Sequence, residues 1–259
     1  AHYGIKVFLY LNEPRSMPLD FFEKRPELRG RTTELYASMC MSDPRVLEYL
    51  RNAVHSLCKA VPGLGGFFAI TFSENLTHCK SRNEGTACEK CRDIPPQKLA
   101  ADVLCAISEE SRKVDPSIQT IAWTWSWSLF MSQEEIHDCI ERLPKEIILM
   151  SNSEVQKKFC IGGVEGAVED YSMSIPGPGE QAKAVWSIAK DKGHETCAKV
   201  QVNNTWECST VPFLPVFDLI REHMQGLRAE GVRHLMLSWT LGGYPSPTLR
   251  FACMGGRDA

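Results

Sequence analysis

The chain has 259 residues, of which 43% are hydrophobic, 9% aromatic and 24% charged, and its formal net charge is −3. These values are typical of one globular domain, and they exclude the basic footprint of proteins that bind nucleic acids or anionic lipids. No apolar run approaches the ~20 residues that span a bilayer, so we expect neither a nucleic-acid partner nor a membrane partner.

Strand and helix patterns alternate along the whole chain. The first half contains, in order, strand 5–11, helix 43–61, strand 67–72, helix 96–114 and strand 119–125. The second half contains helix 132–143, strand 146–150, a helix ending near residue 192, strand 197–202, helix 215–230 and strand 234–239. Six strands that alternate with helices predict an α/β fold with a parallel sheet.

Polar and aromatic side chains follow every predicted strand. The segments that carry them are 12–13, 73–75, 125–127, 152–154, 203–207 and 239–240. In a (β/α)8 barrel of the TIM type these strand ends meet around one mouth, where the active site lies. No glycine-rich phosphate fingerprint follows the first strand, which counts against a nucleotide-binding sheet and predicts no organic cofactor.

Together, these strand ends resemble the (β/α)8 barrels of glycoside hydrolases, particularly the clan of retaining β-glycosidases, over nearly the whole chain. If residues 5–11 form the third barrel strand, the six strands become three to eight, and Glu74 and Glu207 follow strands four and seven. We therefore expect residues 1–259 to be a single catalytic domain whose barrel is incomplete at the N-terminus, and the chain to be a fragment of a longer protein.

The resemblance implies hydrolysis of a β-glycosidic bond in an oligo- or polysaccharide. This reaction needs two carboxyl groups, one that protonates the leaving oxygen and one that attacks the sugar or activates water. The resemblance assigns Glu74 as acid/base and Glu207 as nucleophile, and Glu154 is a third candidate. The candidate hydrogen-bond partners for sugar hydroxyls are Asn12, Asn75, Asn152, Asn203 and Asn204.

A second family with this barrel, the β-N-acetylhexosaminidases, is an alternative. Residues 9–14, Leu-Tyr-Leu-Asn-Glu-Pro, are similar to the end of its third strand, but Ser73 precedes Glu74 where this family has Asp. That Asp lets the substrate's own acetamido group act as nucleophile, and Asp170 with Tyr171 is a candidate for this polarising role. A non-catalytic carbohydrate-binding barrel is the alternative from a different functional class.

Aromatic residues cluster at the same strand ends. Trp123, Trp125 and Trp127 alternate, so in an extended strand they share one side, and three indoles do not fit within a narrow barrel. Indole faces stack on the apolar faces of sugar rings. The candidates for substrate contact are Trp125, Trp127, Trp206, Trp239 and Tyr244, of which Trp239 directly ends the last strand.

Three cysteines in one loop predict a zinc site. Cys79 is followed by the Cys-x-x-Cys pair Cys88 and Cys91, and the fourth ligand is His78, Cys40 or a distant cysteine. Such a zinc would be structural, because catalytic zinc keeps an open position; free thiols or a disulfide are the alternative. The odd number of cysteines, eleven, fits a reducing compartment, so we expect a cytoplasmic rather than a secreted protein, with any signal peptide outside this chain.

Overall fold

The structure is a computed structural model that describes residues 3–239 and 244–255. The chain divides into two compact units, Ala1–Ile148 and Leu149–Ala259. Each unit contains three of the six parallel strands found in the described residues. Among these residues, no helix has both the length and the apolar character needed to cross a bilayer.

The first unit combines a parallel sheet with a small antiparallel one. Its elements are β1 (Phe8–Leu11), β2 (Met17–Pro18), β3 (Arg29–Thr32), β4 (Tyr36–Met39), α1 (Pro44–Ala60), β5 (Gly66–Ile70), α2 (Pro96–Val114), β6 (Gln119–Trp123), α3 (Trp127–Phe130) and α4 (Gln133–Arg142). The parallel strands lie in the order β1-β5-β6, and β2-β4-β3 form the antiparallel sheet. Polar segments 12–13 and 73–75 therefore follow neighbouring parallel strands.

Local sequence signals explain the helices of this unit. Pro44 occupies the first turn of α1, and the Asp43 carboxylate accepts a hydrogen bond from the Arg45 amide at 3.1 Å. The helix buries one stripe, Val46, Leu50, Val54 and Cys58, and packs against α2. At α4, Ser132 and Glu135 form a reciprocal capping box.

The second unit has the same plan. Its elements are β7 (Ile147–Asn152), which begins in the first unit, β8 (Lys158–Ile161), β9 (Val164–Ala167), α5 (Glu180–Asp191), β10 (Thr196–Val200), α6 (Phe217–Ala229), β11 (His234–Leu237) and α7 (Pro247–Cys253). The parallel strands lie in the order β7-β10-β11. Strands β8 and β9 form a hairpin whose turn, Gly162-Gly163, has two positive φ angles of 59° and 83°, which favour glycine.

The core of the second unit fixes the orientation of β10. Ala198 and Val200 pack in one apolar cluster with Trp186 of α5 and Met224 of α6. Because side chains alternate along a strand, Lys199 points to the opposite face of the sheet. A buried lysine therefore lies on the face of β10 that the helices do not cover.

The predicted α/β class is confirmed. All six strands are found and are parallel within each unit, so the described residues supply six of the eight strand–helix units of a (β/α)8 barrel. The strand predicted at 119–125 ends at Trp123, because Ser126 adopts a left-handed conformation with φ of 64° and α3 begins. Of the predicted polar segment 239–240, residue 240 lies outside the described residues.

Candidate functional site

Glu74 lines an open cleft in the first unit. The cleft has a volume of about 330 Å³, and its lining includes Tyr36, Asn75 and Arg82. Glu74 is exposed and follows β5 by four residues. The Arg82 guanidinium donates to the Ser73 carbonyl oxygen at 3.3 Å, which fixes a cation beside this segment. Arg82 is also paired with Glu84, which lines the same cleft, at 3.0 Å. The cleft thus presents the Glu74 carboxyl group and the Asn75 amide beside an Arg82–Glu84 ion pair.

A buried serine holds the backbone on either side of Glu74. The Ser73 hydroxyl accepts from the Asn12 side-chain amide at 2.9 Å and from the Asn75 backbone N–H at 3.1 Å. Burial raises the pKa of the Tyr10 phenol, which hydrogen-bonds Ser73 and Asn12. Asn12 therefore connects the end of β1 to the Glu74 segment, and its own Oδ1 has no hydrogen-bond partner within the described residues.

The predicted aromatic contacts differ in their exposure. Trp127 is only 1% exposed, and its indole N–H donates to the Thr71 hydroxyl at 3.0 Å, so its placement does not support the predicted sugar contact. Trp125 and Trp239 are half-buried, whereas Trp206 is 61% and Tyr244 38% exposed. The four other aromatic side chains remain candidates for stacking on a ligand.

In the second unit, Asn152, Asp170, Tyr171 and Lys199 form one cluster. Asn152 and Lys199 are cross-strand neighbours in the β7–β10 register. The Asn152 side-chain amide donates to Asp170 Oδ1 at 2.5 Å, and the Lys199 ammonium lies 3.3 Å from the centre of the Tyr171 ring. Segment 170–171 thus covers the ends of both strands.

Lys199 was not predicted from the sequence as a site residue. It is fully buried, and its Nζ has no hydrogen-bond partner in the described part of the chain. Burial lowers the pKa of its amine to about 7, although the negative charges of Glu154 and Asp170 act in the opposite direction. The sequence signal was a charged residue between Ala198 and Val200 in a strand with no other charged residue.

Glu154 is a buried acid in the turn after β7. Neither of its carboxyl oxygens has a hydrogen-bond partner among the described residues, and Oε1 is 3.7 Å from Nδ1 of His223. Burial raises the pKa of Glu154 to about 8, against the effect of the Lys199 charge. His223 in turn contacts the Ser153 hydroxyl at 2.9 Å, and burial lowers its pKa to about 3. Glu154 therefore has the protonation expected of a general acid but no exposed surface in this arrangement.

The carboxylate of Glu207 accepts five hydrogen bonds from neighbouring hydroxyl and backbone N–H groups. Oε1 accepts from the Ser172 and Ser174 hydroxyls, both at 2.7 Å. Oε2 accepts from the Met173 N–H at 3.0 Å, the Thr205 hydroxyl at 3.0 Å and the Ser174 N–H at 3.5 Å. Partial burial raises its pKa, but these hydrogen bonds together outweigh that effect and hold the pKa below its usual value.

The predicted sugar ligands Asn203 and Asn204 are also buried. Asn203 donates to the Tyr244 carbonyl oxygen at 3.0 Å and accepts from the Thr248 hydroxyl at 2.9 Å. Asn204 donates to the Val211 carbonyl oxygen at 2.9 Å, while its Oδ1 has no partner among the described residues. Both side chains hold loops and are buried, so their placement does not support the predicted contact with sugar hydroxyls.

Four cysteines of the first unit form a buried cluster. The sulfur atoms of Cys40, Cys79, Cys88 and Cys91 all lie within 4.8 Å of one another. Cys40 Sγ is 3.7 Å from the sulfurs of both Cys88 and Cys91. A tetrahedral zinc with Zn–S bonds of ~2.3 Å requires sulfur separations of ~3.8 Å, whereas a disulfide requires ~2.05 Å. The cluster can therefore hold a metal ion such as zinc, and these thiols form no disulfide.

Of the candidates for a fourth ligand, Cys40 lies in the cluster with Cys79, Cys88 and Cys91, and His78 does not. His78 is fully buried outside the cluster, where its Nδ1 accepts from the Lys80 N–H at 3.2 Å. Its ring packs edge-on against Phe72. Cys40 follows β4, so the antiparallel sheet supplies the ligand that the loop lacks.

Comparison with known proteins gives a likeness of fold alone. No protein-family model matches the sequence, and no curated protein matches it. The solved structure of a family 89 glycoside hydrolase from Clostridium perfringens in complex with PUGNAc matches 98% of this chain, with a TM-score of 0.53 and 12% identity. A complex of a family 89 glycoside hydrolase from the same organism with 2-acetamido-1,2-dideoxynojirmycin matches 91%, with a TM-score of 0.51 and 12% identity. The chain spans only 25% and 22% of the length of those two chains.

Proposed function

We propose that this protein is a glycoside hydrolase that cleaves a β-glycosidic bond of an oligo- or polysaccharide, with Glu74 as the general acid/base. The observation that carries the proposal is the cleft in which the exposed Glu74 lies beside Asn75 and Arg82 at the end of a parallel strand. The likeness of fold to glycoside hydrolases supports it.

The reaction has two candidate mechanisms. In the first, Glu207 is the nucleophile of a retaining enzyme, with Glu154 as the other candidate carboxyl group. In the second, the acetamido group of the substrate attacks, and Asp170 with Tyr171 polarises it. The hydrogen bonds of Glu207 favour the second mechanism. Its carboxylate already accepts five hydrogen bonds, so few lone pairs are left to attack the anomeric carbon of a sugar. Asp170, in contrast, is partly exposed and is oriented by Asn152.

Trapping distinguishes the two mechanisms. A 2-deoxy-2-fluoro glycoside with a good leaving group forms a stable covalent ester with an enzymic nucleophile, and peptide mass spectrometry then locates that ester. The first mechanism predicts an ester on Glu207 or Glu154. The second predicts no ester, together with inhibition by a thiazoline that mimics the cyclised acetamido sugar.

A carbohydrate-binding protein without turnover is the competing function. PUGNAc, which is bound in one of the family 89 structures, is a suitable probe for calorimetry. The Glu74→Gln variant should bind PUGNAc but lose turnover, whereas the Glu48→Gln variant, altered at an exposed position of α1, should keep both. Binding of PUGNAc without turnover of any glycoside by the parent chain would instead identify a binding protein.

We further propose that the cysteine cluster holds one structural zinc ion through Cys40, Cys79, Cys88 and Cys91. All four sulfur ligands come from the protein, so the ion would have no open position for substrate or water. Its role would be to fix the loop that follows Glu74, since Cys79 lies five residues beyond that carboxyl group.

A further inference from the structure

Residues 170–174, which we call the strap, cross the strand ends of the second unit. At one end of the strap, Asp170 accepts from Asn152, and the ring of Tyr171 lies on the Lys199 ammonium. Further along, Met173 is 5% exposed and packs in the apolar core of this unit. The strap thus covers a fully buried amine and also carries the aspartate that the second mechanism uses.

Glu207 binds this strap from a separate part of the chain. It lies in a short 3-10 helix, Trp206–Cys208, which Thr205 caps by accepting from the Glu207 N–H at 2.9 Å. From there its carboxylate accepts from three consecutive strap residues, Ser172, Met173 and Ser174. Two of these donors are backbone N–H groups, so the contact fixes the main chain and not only side chains.

The bonding capacity of the carboxylate is fully used. Two oxygens offer about four lone-pair positions, and here they receive five donors. Hydrogen bonds to an ionised acceptor are about twice as strong as neutral ones. Each of these bonds is therefore charge-assisted, and all but one of them go to the strap.

We propose that Glu207 is a positioning residue whose carboxylate holds the strap closed over Lys199 and so keeps Asp170 and Tyr171 at the strand ends. The part of this inference that concerns the reaction of Asp170 rests on the proposed function. The closure of the strap does not, because it is argued from the hydrogen bonds that Glu207 accepts from Ser172, Met173 and Ser174, and none of these involves a substrate.

The test compares Glu207→Gln and Glu207→Ala with Glu222→Gln, a control at an exposed position of α6. Two readouts are used: hydrogen exchange of the Met173 and Ser174 amides, and acylation of Lys199 by acetic anhydride mapped by mass spectrometry. Both rates should rise by roughly tenfold or more when charge-assisted hydrogen bonds are lost. The control should match the parent chain.

Ser174→Ala provides an independent variant, because it removes one exposed donor and leaves the carboxylate intact. It should raise both rates, by less than Glu207→Ala does. Unchanged exchange and unchanged Lys199 acylation in folded Glu207→Gln and Ser174→Ala proteins would overturn the inference. The two proposals can fail separately. Faster exchange in these variants would support the role of Glu207 in closing the strap, even if the parent chain hydrolysed no glycoside and the proposed function were thereby refuted.

Discussion

Replacing Glu154 with glutamine should change how the stability of the protein depends on pH. The carboxyl group of Glu154 is fully buried, and its pKa is raised to about 8. In an unfolded chain the pKa of glutamate is about 4.3. Between pH 5 and pH 6.5 the folded state therefore holds a proton that the unfolded state has lost, so the free energy of unfolding falls as the pH rises.

The size of the effect follows from this difference in bound protons. One proton changes the free energy of unfolding by about 1.4 kcal/mol per pH unit, so the interval from pH 5 to pH 6.5 accounts for roughly 2 kcal/mol. Glutamine has nearly the same shape and does not titrate. The parent chain should thus lose roughly 2 kcal/mol relative to Glu154→Gln over this interval. The upper limit of pH 6.5 keeps Lys199, whose pKa is about 7, mainly protonated.

Urea unfolding followed by tryptophan fluorescence at both pH values measures this difference. The buried histidine His78 titrates in both proteins, so its contribution cancels in the comparison. His223 lies 3.7 Å from Glu154, so any change in its titration is part of the measured effect of the substitution. Glu146→Gln, at an exposed position just before β7, is the matched control and should parallel the parent chain. Equal pH dependence of the parent chain and Glu154→Gln would refute the assignment of Glu154 as a buried protonated acid.

Other predictions concern the metal, the helix cap and the buried indole. Elemental analysis should find one zinc per folded chain. Cys91→Ser should lower both the zinc content and the Tm, whereas Cys160→Ser, at an exposed position, should change neither. A parent chain that folds without metal and has the same Tm with and without zinc would contradict the site. Ser132→Ala should cost about 1 kcal/mol in urea unfolding, because the cap of α4 is lost; a cost near zero would show that the cap is not needed. Trp127→Phe should destabilise the first unit by ~1–3 kcal/mol, because the buried Thr71 hydroxyl loses its donor. The same variant should bind PUGNAc with unchanged affinity, and weaker binding would support the predicted contact between Trp127 and sugar.

The fold was predictable because its signals are local. The apolar run at 67–72 and the Asp43-Pro44 helix start each identify an element from a few neighbouring residues, and β5 and α1 lie there. The β8–β9 hairpin was not predicted, since its strands are largely exposed and carry little apolar alternation. Only the Gly162-Gly163 pair signals its turn.

The candidate site was less predictable, because its contacts join residues far apart in the chain. Cys40 is 48 residues from Cys88, and no spacing rule selects it over His78. Four of the five hydrogen bonds that Glu207 accepts come from a segment more than 30 residues earlier, so the sequence shows only a glutamate after a strand. The position of Glu74 after β5, in contrast, followed from the strand pattern alone.

The proposed role of Glu74 is tested most directly by comparing two leaving groups in the Glu74→Gln variant. A general acid contributes about 10²–10⁴-fold to the rate when the departing oxygen needs a proton. Loss of Glu74 should therefore reduce kcat/KM by about that factor for an oligosaccharide, and by much less for a 4-nitrophenyl glycoside, whose phenolate departs unprotonated. Equal rates in the parent chain and the variant for both substrates would contradict the assignment of Glu74 as the acid/base.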